Sequence, residues 1–115
     1  MKIYIAGPFT TDHNGVFHRD QKKISDNLEK AKEAGIKLAK MGHDPYVPHT
    51  HIGVFGENLE YDEIMRIHLT FVRDWADALL FLGPSKGSNI EKKEAEKLGI
   101  PVYTSIEDIP LAKKN

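Results

Sequence analysis

The chain contains no cysteine, which excludes a disulfide framework and any thiolate metal site. It has no surplus of one charge. Lys and Arg number 16 against 17 Asp and Glu, so no net field recruits nucleic acid or a membrane surface. No apolar stretch approaches the roughly 20 residues that a membrane-spanning helix requires. The opening run from Met1 to Gly7 is too short for a signal peptide and reads as a strand. Glycines at G-x-G-x-x-G spacing are missing, as is a P-loop lysine after a second glycine, which disfavours NAD and ATP chemistry. Repeats and low-complexity linkers are also lacking. At 115 residues, the expectation is one domain over 1–115, soluble and cytoplasmic, with no cofactor and no nucleic-acid or membrane partner.

What is present is a regular alternation of strands and helices. Ile3 to Ala6 and Ala78 to Leu82 are short apolar runs suited to strands buried on both faces of a parallel sheet. Asp44 to Pro48 reads as a short strand near the sheet edge because of its prolines, and Ile100 to Tyr103 as a fourth strand. Between them, Ile24, Leu28, Ala31, Gly35 and Leu38 recur at helical spacing, and Met41 and Gly42 end that helix. A second helix is expected from about Glu60 to Ala76, with Ile64, Ile67, Phe71 and Trp75 on one side. A third follows the turn at Gly83, Pro84, Ser85 and Gly87 and stops at Gly99. A short helical turn over Ser105 to Ile109 closes the order. The order β-α-β-α-β-α-β predicts an α/β fold: a small doubly wound parallel sheet, flavodoxin-like or Rossmann-like, with strand order about 2-1-3-4 and room for a fifth strand. Ligands in such sheets bind at the carboxyl ends of the strands, beside helix N-termini.

The candidate residues cluster there. Ser88 and Glu91 have the spacing of a capping box, which by itself accounts for both. Glu91 also follows a glycine-bearing loop, where a carboxylate can stabilise or attack an anomeric carbon. Tyr4 suits a strand interior, and its hydroxyl could orient Glu91. Asp77, at a helix-to-strand junction, is either a turn residue or an acceptor for a ligand base. Gly7, Pro8 and Phe9 form a turn that can bring backbone N–H groups to a ligand. His49 and His51 make a His-x-His pair without a carboxylate at ligand spacing, so no metal is expected and His49 reads instead as a ligand-contacting loop residue. His68 shares a face with Ile64, Val72 and Trp75 and reads as half-buried core.

Four segments carry a resemblance: Lys2 to Pro8; Gly42 and His43 with Pro45, Val47, Pro48 and His49; Ala76 to Leu80; and Ser85, Gly87 and Glu91. In this order they resemble the nucleoside 2-deoxyribosyltransferase superfamily, including its 2'-deoxynucleoside 5'-phosphate N-hydrolase branch. The resemblance implies a flavodoxin-like fold and cleavage of an N-glycosidic bond, with a nucleoside or nucleotide as the small-molecule partner. Glu91 would be the nucleophile, with Tyr4 hydrogen-bonding to it. Ser85, Gly87 and Ser88 would bind a 5'-phosphate or 5'-hydroxyl, and Gly7 to Phe9 would border the pocket. Such proteins usually assemble as dimers or larger, and the second helix with Trp75 is a candidate interface. Where the family carries an aspartate that assists the leaving base, this chain has Leu69: either His68 or Asp74 serves instead, or the base is protonated differently, or activity is lost. The C-terminal extension of full-length transferases is not seen here, which tilts the expectation towards hydrolysis. The rivals are a non-catalytic nucleotide-binding or sensing module and a metal-dependent hydrolase built on His49 and His51.

Overall fold

A computed structural model describes residues 1–8, 21–50 and 58–112. In chain order these form β1 (Lys2–Ala6), α1 (Gln21–Lys40), β2 (Asp44–Tyr46), α2 (Tyr61–Asp74), β3 (Ala78–Phe81), α3 (Lys86–Lys97) and β4 (Val102–Tyr103), then a short 3-10 turn over Ile106–Asp108. The strands make one four-stranded sheet, all parallel, in the order β2-β1-β3-β4. This is the small flavodoxin-like α/β arrangement. No fifth strand is found among the described residues.

β1 lies in the middle and is buried on both faces, with Ile3 to Ala6 fully covered. Side chains alternate across a strand. Ile3 and Ile5 therefore face one side, with Ala78 and Leu80 of β3, Ala31, Ala34 and Leu38 of α1, and Ile109. Tyr4 and Ala6 face the other, with Leu79 of β3, Val72 of α2 and Ala95 of α3. The sheet is thus covered by α1 on one face and by α2 and α3 on the other.

Two helices end as glycine predicts. Gly42 has φ +92° and Gly99 φ +74°, the left-handed region that costs a residue with a Cβ about 1 kcal/mol or more. After α1, His43 N–H reaches Leu38 O and Gly42 N–H reaches Ala39 O, both at 3.0 Å. After α3, Ile100 N–H reaches Ala95 O at 2.9 Å and Gly99 N–H reaches Glu96 O at 3.1 Å. Both are Schellman closures that satisfy the last carbonyls.

Two helix faces are phased differently from the expectation. Leu28 is 40 % exposed, so the buried stripe of α1 is Ala31, Ala34, Gly35 and Leu38. On α2 the buried line is Met65, His68 and Val72, with Ile64, Ile67, Phe71 and Trp75 only partly covered. The contact with the sheet, and not hydrophobicity alone, sets the rotation of each helix. No helix among the described residues is long and apolar enough to cross a membrane.

Candidate functional site

The site begins with the start of α3. Ser85, in extended conformation, is the N-cap, and its Oγ accepts Ser88 N–H at 3.0 Å. Ser88 Oγ donates to Gly83 O at 2.8 Å, so the 2.8 Å contact between the two hydroxyls is donated by Ser85. Both serines are buried, 2 % and 1 % exposed, and their hydroxyls are used within the loop. The expected capping box from Ser88 to Glu91 therefore does not form. The helix starts one turn earlier, because Ser88 Oγ is held by Gly83. Glu91 falls in the second turn and is released from any capping role.

Its carboxylate instead turns inward. Glu91 is 4 % exposed, and its Oε2 accepts the Tyr4 hydroxyl from the middle of β1. His68 of α2, itself 3 % exposed, brings Nδ1 to 3.4 Å from the same oxygen. The Tyr4 and His68 rings meet edge to face at 6.4 Å. Burial, and then the Glu91 charge, push the Tyr4 phenol well above its ordinary range, so it stays a proton donor. Two further phenols feel that charge. Tyr46, which pairs with Tyr4 across the β1–β2 register, is pushed up to about 12, first by burial and then by Glu91. Tyr61 at the start of α2 is raised for the same reasons. Tyr46 also stacks on Phe71 with ring centroids 4.2 Å apart, and Trp75 lies edge-on to Tyr46 at 5.8 Å. One wall of the site is thus aromatic.

The first residues after β1, β2 and β3 meet beside it. His49 Nε2 donates to Pro8 O at 3.2 Å. Gly7 packs on Leu82, where a Cβ would meet Leu82 Cβ at 3.1 Å. At Gly87 a Cβ would lie 3.3 Å from Met65 Sδ and 3.4 Å from Tyr61 Oη, so the first turn of α3 sits close against α2. Lys86 places its ammonium 5.0 Å from the Tyr61 ring centroid. Burial drives His49 down to about 4, against the opposing pull of its bond to Pro8 and with a further push from His68. It is therefore neutral at physiological pH.

Asp77 is not brought to this cluster. It is exposed at the amino end of β3, where its Oδ2 accepts Lys2 N–H at 2.9 Å and its own N–H reaches Lys2 O at 2.7 Å. That is a brace between the first residues of β1 and β3, at the opposite end from the loops above. Phe9 and His51 lie outside the described residues, as does Arg19, the arginine after β1 that could meet a 5'-phosphate. Leu69 is partly buried on α2, next to His68 in sequence.

Residues 1–104 match the profile of a domain of unknown function, DUF4406. The chain belongs to this family. Neither the comparison with curated proteins nor that with solved structures found a match. In this DUF4406 domain, Tyr46 and Tyr61 carried no sequence signal that marked them out. Tyr46 faces Glu91 only because of the parallel register with Tyr4, and His68 reaches it only because of the phase of α2. Among the described residues, no group of three His, Asp or Glu side chains converges at metal-ligand spacing.

Proposed function

We propose that this protein cleaves or transfers the N-glycosidic bond of a (deoxy)nucleoside or nucleoside 5'-monophosphate, with Glu91 as the nucleophile. The observation that carries this reading is a buried carboxylate with no capping duty, oriented by a phenol that stays protonated. Tyr4 and His68 both meet Oε2, which leaves Oε1 to attack the anomeric carbon. The glycosidic electron pair would leave with the base nitrogen, which takes a proton from solvent, and the water or second base that later displaces Glu91 gives one back. Water, or the nitrogen of a second base, then displaces Glu91 from the sugar and restores the carboxylate. Supporting this reading, α3 offers an anion or hydroxyl its first-turn N–H groups at Lys86 and Gly87, since Ser85 occupies Ser88 N–H and Asn89 N–H bonds Ser85 O. The resemblance to nucleoside 2-deoxyribosyltransferases points the same way. Hydrolysis is favoured over transfer, in a cytoplasmic homo-oligomer.

A second reading, a nucleotide-binding module without turnover, is favoured by one observation: Leu69 stands where an acid for the leaving base is expected.

The deciding experiment incubates the protein overnight with ribo- and deoxynucleosides and their 5'-monophosphates, with and without a free acceptor base. Chromatography then detects released or exchanged base. Release without acceptor identifies a hydrolase, and exchange only with acceptor a transferase. Glu91→Gln is expected to lower the rate by about three orders of magnitude or more while the fold persists. Ligands that raise Tm but come back intact would replace the enzyme with the binding module.

A further inference from the structure

Glu91 is a carboxylate taken out of water, and the hydrogen bond it accepts from Tyr4 brings no charge. A buried carboxylate is costly unless donors hold its oxygens. The titratable groups that reach it are Tyr4 from β1, Tyr46 from β2, and Tyr61 and His68 from α2, and His49, from the segment after β2, lies beside His68. The three phenols cannot supply positive charge. His49 is kept neutral and spends its Nε2 proton on Pro8. The ammonium groups of Lys86 and Lys92 lie over the rings of Tyr61 and Phe81. His68 is then the group of this set whose ring nitrogen lies at ion-pair distance from Glu91.

We propose that His68 is a positioning residue for Glu91: its Nδ1, 3.4 Å from Oε2, gives that oxygen a second donor and, with Tyr4, presents Oε1 to the sugar. The proposal rests on the glycosidic reading of the site. It also assigns His68 away from the leaving base. A displacing nucleophile and its leaving group occupy opposite sides of the carbon, and His68 lies on the nucleophile's side, 3.4 Å from the carboxylate. His68 therefore acts through Glu91 and does not stand in for the acid absent at Leu69.

The test compares His68→Phe, His68→Asn, Glu91→Gln and the double variant His68→Phe with Glu91→Gln. Phe keeps the ring packing against Tyr4 and removes the proton; Asn keeps a donor near Nδ1 and loses the ring. The expected result is a kcat about 100-fold lower in His68→Phe with KM little changed, and a smaller loss in His68→Asn. A packing role ranks the two the other way, and that ranking overturns the proposal. The melting temperatures of the wild type, His68→Phe, Glu91→Gln and the double variant close a cycle that needs no substrate. Glu91→Gln is expected to raise Tm in the His68→Phe background relative to its effect in the wild type, by roughly 4 °C or more. Additive shifts mean no pair exists and sink the proposal. If the wild type releases no base from any substrate, the glycosidic reading falls, while the melting cycle still decides the pairing.

Discussion

One strand serves two different environments. On the α1 side of β1, Ile3 and Ile5 meet Ala31, Ala34, Leu38, Ala78 and Leu80, and every buried member of the cluster is aliphatic. On the other side, Tyr4 stands among Leu79, Val72 and Ala95, yet its hydroxyl ends on Glu91 with His68 beside it. The two faces share a backbone and the same depth of burial. They differ in what each can lose. The aliphatic face holds the protein together through area removed from water, at about 25 cal/mol per Å². The other face sacrifices some of that area to keep polar groups buried, so each of them needs a partner.

That contrast predicts opposite responses to substitution. The largest effect on activity without a matching loss of stability is expected from Glu91→Gln, on the polar face. Its mirror image is Leu38→Ala on the aliphatic face. Denaturant melts should show a loss of about 2–5 kcal/mol, and the turnover per folded molecule should be unchanged. A large fall in that turnover would mean that the two faces are coupled.

Acid should strike the polar face first. The folded state holds His49 at about 4, against 6.5 for the ordinary side chain. A lowered histidine means that the unfolded chain binds more protons between those values. Stability is therefore full above about pH 6.5 and falls as the pH drops towards 4, by up to about 3 kcal/mol. His49→Gln should flatten this slope in Tm measured across that window; an unchanged slope would move the cause to another group. The smallest effect is expected from Ser85→Ala. Loss of the N-cap bond to Ser88 should cost about 1 kcal/mol, read as a shift of the urea midpoint without a change in slope.

The fold was legible in the sequence because its signals are local. Short apolar runs mark β1 and β3, and Gly42 and Gly99 stop their helices where expected. The site was legible only in part. Tyr4 and Glu91 were named as a pair from their resemblance and position, and the structure joins them through a hydrogen bond. The capping box failed because two overlapping patterns compete: Ser85 precedes Ser88 by one turn, and only the reach of Gly83 O decides which serine caps. His68 was read as half-buried core, since helix periodicity locates a face but not what stands opposite. Asp77 was read as either a turn residue or an acceptor for a ligand base, and the parallel start of β1 and β3 makes it a brace.

The early start of α3 has a last consequence. Gly87 and Glu91 lie on one uninterrupted helix, four residues apart, and so about 6 Å along its axis. A helix cannot stretch as a loop can. On the glycosidic reading, α3 is a ruler: its first turn holds the 5' end of the sugar and Glu91 marks where the anomeric carbon must fall. A furanose keeps those two points on a fixed frame. A sugar with one more carbon in its 5' arm would overshoot the mark, so the selection for that arm's length would be made by the backbone, before any side chain is consulted.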